Sequence, residues 1–177
     1  MATAKYGLEP IGPQKPDALV KFDVDSSTTA IYRGDVVELV AEKGIAQAAG
    51  GDNTANIGVV VGFYDADGLP ALYYPAGSAE GYTAIVNIDP HQLYKIHYYH
   101  ATTALEAKYV GSCADWEVGT GNTTTGQSGA YVTALAAGAA GLYVLGLYEQ
   151  QGNEWGTDCE LVVKLHQHVH TPAAAGI

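Results

Sequence analysis

Hydrophobic and polar positions fall into short runs separated by turn residues, and little of the chain reads as helix. In Ala18–Asp25, Val20, Phe22 and Val24 point one way, and Lys21, Asp23 and Asp25 the other, which predicts a half-buried strand. The stretch Ile31–Tyr64 holds two β-branched apolar runs, Val36–Val40 and Ile57–Phe63, around the small-residue segment Gly44–Gly51. The first run extends a strand from Ile31 with a bend at Gly34, and the second is a long buried strand. Gly44–Gly51 is expected to allow close chain approach and to keep one side low and flat, suited to packing between symmetry mates. Asp65-Ala-Asp-Gly68 turns the chain as a hairpin; it lacks the later acidic ligands of a calcium loop.

Further strands are predicted over Leu72–Tyr74, Tyr82–Ile88, Leu93–Tyr99, Lys108–Val118, Leu142–Glu149 and Cys159–His170. Asp89 and Pro90 can open a single helical turn, and Ala101–Ala107 suits a short helix or a loop. Ala130–Gly141 is ambiguous, because its alanines favour a short helix that Gly138 and Gly141 weaken. Gly119–Gly129 and Gln150–Asp158 are loops. The expected fold is all-β: a single-domain β-barrel or β-sandwich of about nine or ten strands with short helical turns. That domain spans residues 18–170, after an extended Pro-rich N-terminal arm over 1–17 and before a small-residue tail over 171–177. In the arm, Pro10, Pro13 and Pro16 exclude a helix or a central strand. It is either a frayed terminus or an arm that orders on a neighbouring surface.

Composition narrows the function. Hydrophobic residues make up 47% of the chain and charged residues 15%, against about 25% charged in ordinary soluble domains. Part of the surface is therefore expected to lie against a partner. The net charge of −11, with its basic residues scattered, argues against direct contact with nucleic acid or an anionic membrane. No stretch reads as a signal peptide or a spanning helix, so synthesis in a cytoplasm is expected, with Cys113 and Cys159 as reduced thiols unless aligned strands pair them.

Candidate chemistry is sparse. His166-Gln-His168-Val-His170 places three histidines on one face of the last strand. A His-x-His pair can grip zinc if a third ligand joins it, but an exposed edge strand or a polar pore wall explains the run equally well. In a symmetric trimer these histidines would gather near the axis and make assembly acid-sensitive. His91, His97 and His100 are expected in the core or an interface. Cys113 has acidic and apolar sequence neighbours and no base to activate it. Arg33-Gly34-Asp35 spells an adhesion tripeptide that a strand bend accounts for. Hydrolase elbows, zincin motifs and phosphate loops are absent from the sequence. The chain is expected to be no enzyme and to need no cofactor. Thirteen tyrosines stand out. Tyr73, Tyr74, Tyr98 and Tyr99 are the candidates for an interface, although tyrosine is common in sheets and would serve a carbohydrate or small-ligand site as well.

An ordered set of segments resembles the capsid cement, or head-decoration, proteins of tailed double-stranded-DNA phages. These are Ile31-Tyr-Arg-Gly-Asp-Val-Val37, Gly44-Ile-Ala-Gln-Ala-Ala-Gly50, Ile57-Gly-Val-Val-Val-Gly62, Tyr82-Thr-Ala-Ile-Val-Asn-Ile-Asp-Pro90, Leu93-Tyr-Lys-Ile96, Asn122-Thr-Thr-Thr-Gly-Gln-Ser128, Leu142-Tyr-Val-Leu-Gly-Leu147, Gly152-Asn-Glu-Trp-Gly156 and the strand ending at His166. The resemblance implies a virion protein on the outer capsid surface. It would act as a homotrimer bridging neighbouring major capsid proteins against DNA pressure, with Pro10, Pro13 and Pro16 in a clamp on adjacent subunits.

Overall fold

The computed structural model describes residues 5–26, 28–50, 56–77, 81–136 and 140–170. It is all-β, with twelve strands in two sheets and two single-turn 3-10 segments, at Pro16–Ala18 and Ala107–Tyr109, among the described residues. The strands are β1 (Glu9–Pro10), β2 (Leu19–Asp23), β3 (Val36–Val40), β4 (Gly44–Gln47), β5 (Asn56–Tyr64) and β6 (Pro70–Ala71), then β7 (Thr83–Asn87), β8 (Leu93–Tyr99), β9 (Cys113–Glu117), β10 (Tyr131–Ala136), β11 (Leu142–Leu147) and β12 (Asp158–Leu165).

In the first sheet β8, β10, β9, β11 and β12 follow one another, and β12 pairs back onto β8, closing a five-strand barrel. Alternation fills it. Cys159, Leu161, Val163 and Leu165 of β12 point inward, as do Tyr94, Ile96 and Tyr98 of β8 and Ala114 and Trp116 of β9. Each large apolar side chain so buried contributes about 1.5–3 kcal/mol. The second sheet runs β2-β7-β5-β3-β4 with β6 added to β5, and a parallel bridge from Val24 to Ile45 joins its two ends.

β5 lies between the two cores. Val59, with Val36 and Ala48, packs into the barrel's core; Ile57, Val60 and Phe63 pack with Val37, Ile45 and Val86 in the other. Coverage on both faces is why Ile57–Val61 is apolar without alternation. Register shifts beside Ile57 and Val61 let neighbouring residues change faces.

Several segments differ from the sequence expectation. Gly44–Gly51 contains a strand: Gly44–Gln47 pairs with β3, and Ile45 is fully buried. Gly44 and Gly50 serve contacts inside one chain, since a Cβ on Gly44 would meet the Asp23 carbonyl and one on Gly50 the Trp116 carbonyl. The close approach that these small residues allow is thus made inside one chain. Ile31–Val40 becomes strand only at Val36, because Gly34 turns the backbone with φ +91°. Tyr131–Ala136 is strand, as pairing with β9 overrides the helical preference of its alanines. The last strand stops at Leu165, not His170. The N-terminal segment from Lys5 onward lies along its own chain; residues 1–4 and the tail over 171–177 lie outside the described residues.

The turn at Gly34-Asp35 holds these parts together. Gly34 N–H donates to the Val60 carbonyl (2.8 Å), Val60 N–H to the Asp35 carbonyl (3.0 Å) and Leu8 N–H to the Gly34 carbonyl (2.9 Å). The Asp35 carboxylate is 3% exposed. It accepts hydrogen bonds from Tyr32 N–H and Gln47 Nε2, both at 2.8 Å, and from the Ser128 hydroxyl. Burial raises its pKa, and the three donors oppose that rise. With its aspartate inside, the adhesion tripeptide is a structural bend.

Asp35→Ala leaves three donors without their acceptor and is expected to lower unfolding free energy by about 2–4 kcal/mol. Ser128→Ala, which removes one donor, should cost about 1 kcal/mol. Urea unfolding of the two variants measures both; a loss below about 1 kcal/mol for Asp35→Ala would contradict this role.

Candidate functional site

The tyrosines singled out from sequence separate by face. Adjacent residues of a strand point to opposite sides, so Tyr98 is inside the barrel, its hydroxyl donating to the Thr103 carbonyl (3.0 Å), while Tyr99 is 40% exposed. Tyr74 is fully buried in the second core, edge-on to Tyr82, whereas Tyr73 is half-buried and stacks on Tyr32 with ring centroids 5.0 Å apart. Tyr74 and Tyr98 are therefore core residues rather than interface candidates. Pro10 is half-buried in β1, and Pro13 and Pro16 are exposed.

The histidine run does not share one face, because β12 ends before it. His166 folds back over β9, its Nδ1 3.1 Å from the Cys113 Sγ, with the Tyr143 ring edge-on at 5.7 Å. His168 is buried, and its Nδ1 accepts a hydrogen bond from His170 N–H (3.1 Å). His170 is exposed. Two of the three rings are thus interior to the subunit and unavailable to line a trimer axis. Among the described residues, no three His, Cys, Asp or Glu side chains converge as metal ligands.

Cys113 and Cys159 are free, buried thiols, and burial pushes Cys159 up to about 11. Cys113 has no base beside it in sequence, yet the closed barrel brings His166 to it from 53 positions away. Cys113 has no exposed surface, so the pair acts as a buried hydrogen bond in the barrel wall. His97 is likewise buried, its Nε2 2.7 Å from Asp158 Oδ1.

The outer face of β11, β12, β8 and β1 carries a different arrangement. Lys164 lies over the Tyr143 ring at 5.3 Å. Lys95 lies over Tyr6 (4.8 Å) and Tyr148 (5.2 Å) and pairs with Glu9 (3.1 Å) and Glu160 (3.7 Å). Lys5 sits 3.1 Å above the Tyr131 ring and 5.5 Å from that of Tyr99. The Tyr6 hydroxyl donates to Glu160 Oε1 (2.7 Å), and burial together with that carboxylate pushes the phenol pKa up. Each exposed cation–π contact is worth about 0.5–1 kcal/mol and orders both partners. The result is a fixed aromatic surface whose lysines are held on rings and carboxylates, with Leu93, Leu145 and Tyr99 exposed. Tyr6, Tyr131 and the lysines escaped sequence reasoning because cross-strand register, not spacing, pairs them.

The barrel interior is filled with side chains. Clefts lie outside it: one of about 610 Å³ between β9–β10 and Gln47–Gly50, and one of about 190 Å³ between the N-terminal segment and Arg33.

Native-state nitration should modify Tyr99 and spare Tyr74, Tyr94 and Tyr98, as mass mapping of peptides would record. A pH dependence of stability follows from the histidines. Burial lowers the pKa of His166 and His168, so below about pH 6.5 the unfolded chain binds protons that the folded chain resists. Stability is full above that value and falls as pH drops through it toward the folded pKa. Asp35 works the other way, since its raised pKa lets the folded chain take up a proton first as pH falls. His168→Gln isolates the histidine contribution: its unfolding free energy should change less than the wild type's between about pH 7.5 and 5.5. Equal slopes would exclude His168 as a source.

Compared with protein families, with characterised proteins and with solved structures, the chain matches none.

Proposed function

We propose that this chain is a non-enzymatic decoration protein of a tailed-phage capsid. In this reading it is made in the host cytoplasm and seated on the outer surface of the virion as a homotrimer. It bridges neighbouring major capsid proteins against the pressure of packaged DNA, through surface contacts alone and without a cofactor. The fixed tyrosine–lysine face supports this reading most directly. A protein that works by covering a neighbour needs large side chains that lose little freedom when covered. Tyrosine rings already held by lysines meet that need and keep a hydroxyl for polar contacts.

Two further features agree with it. A closed barrel offers few strand edges for unwanted pairing. The acidic surface, with five of its eight basic residues lying over tyrosines, keeps the protein from nucleic acid and membrane. The finer sequence reading belongs here too: one compact β domain whose Pro-rich N-terminal arm takes part in contacts between subunits.

Purified virions decide the matter. The protein should remain on particles at a copy number comparable with the major capsid protein. Paired Tyr99→Ala and Tyr143→Ala substitutions should weaken rebinding to stripped capsids about 10-fold or more, the loss typical of a central aromatic contact. Absence from purified particles would overturn the proposal.

A further inference from the structure

The shortest ladder in the barrel is that between β8 and β10. These strands meet in parallel at a single pair, Tyr98 and Val132. Toward the start of β8 the gap is closed by the N-terminal segment, with Glu9 opposite Lys95 and Pro10 opposite Tyr94. Ile11 N–H donates to the Leu93 carbonyl (2.8 Å) and Gly7 N–H to the Ala130 carbonyl (3.0 Å), at the entrance to β10. Leu8, 1% exposed, enters the barrel's core. The first described residues are thus a closing strand.

That strand is tied to the rest of its own chain by a short hinge. Lys15 is anchored on Asp89 (2.7 Å) and Gln14 approaches Asn87 (3.4 Å), so the connection turns on Gly12-Pro13. Both residues are exposed, and Gly12 holds a left-handed conformation with φ +77°. A change of backbone geometry at that glycine, which carries no side chain to obstruct it, would re-aim the closing strand relative to its own barrel. Pro13 fixes its own φ and has no N–H to satisfy, so the re-aimed form sacrifices no hydrogen bond there.

We propose that in the oligomer the closing strand is exchanged: residues 5–11 of one copy fill the β8–β10 seam of a second copy. Exchange re-forms the same hydrogen bonds and buries the same leucine, so the association needs no new contact surface. Short hinges are the setting in which such exchange arises. The inference rests on the oligomer of the proposed function and supplies its means of self-association. The pairing of Lys95 with Glu9 and its contact with the Tyr6 ring would then cross between subunits, while those with Glu160 and Tyr148 stay within one.

The test is a paired substitution, Glu9→Cys with Lys95→Cys. These side chains already meet at 3.1 Å on the outside of the barrel, and the native Cys113 and Cys159 are buried. The protein is oxidised, then denatured and run without reductant, with the parent chain as control. Exchange predicts covalent dimers and higher multimers in place of monomer. Intrachain disulfides alone, or none at all, would overturn it. Ile11→Cys with Leu93→Cys gives the same readout should the first pair fail to fold. Light scattering of the native protein separates the two levels. An oligomer carrying only intrachain disulfides overturns the exchange and leaves the capsid reading standing, whereas a monomer overturns both the exchange and the oligomer on which that reading depends.

Discussion

A buried carboxylate sets the terms for the rest of the molecule. Removing the Asp35 charge from water costs several kcal/mol in a folded protein unless donors replace the lost hydration. The replacements come from three places: the backbone at Tyr32, the side chain of Gln47 on β4 and the hydroxyl of Ser128 before β10. The cost is met only when all three segments are in position at once. The peptide groups around it extend the constraint, since Gly34 bonds to Val60 on β5 and to Leu8 in the N-terminal segment. Barrel, second sheet and chain start are therefore located relative to one another by one turn. The glycine is required there because a Cβ would press on the backbone of Tyr6 and Leu8 at 3.1–3.3 Å, in a left-handed conformation.

From that turn the two cores follow. β5 leaves it covered on both faces and serves as the shared wall, so loosening one core strips contacts from the other. The barrel then presents the outward positions of β8, β11 and β12 as a single surface. Cross-strand register places Lys95 opposite Val162 and Leu93 opposite Lys164, which lets long lysine stems reach tyrosines on neighbouring strands. Holding cations on rings leaves carboxylates to dominate the open surface of a chain with net charge −11.

How much of this was legible in the sequence depended on whether the signal was local. Alternation located β2 and most of β12, and an unbroken apolar run located β5, because each pattern reflects the faces a strand buries. The failures share a cause. Gly44–Gln47 looks like a spacer until its partner β3 supplies the ladder, and the alanines of β10 look helical until β9 does so. The histidines after Leu165 look like an alternating face until the chain bends to satisfy Cys113 and the Gly141 carbonyl. Tyr98 and Tyr99 carry the same letter, and alternation sends one into the core and the other to solvent. In each of the first three cases the deciding contact is made with another segment, from the adjacent strand β3 for Gly44–Gln47 to a residue 53 positions away for His166, and no period within the segment itself records it. In the last, the pattern separates the two faces, but only the closed barrel says which of them is inside.

Function and closure meet in the N-terminal segment. The prolines that exclude it from a central strand suit an edge, where Pro10 needs no N–H for the ladder. The same residues seal the barrel through Leu8 and carry Tyr6 and Lys5 onto the aromatic face. Cutting the segment away would open the core and dismantle the surface together. Loss of partner binding after truncation would then report on folding as much as on contact. Single changes at its outward positions separate the two, because Glu9 faces solvent and Lys95 while Leu8 fills the interior. A segment that closes the fold and also builds the surface would, under the proposed function, make binding conditional on a completed barrel.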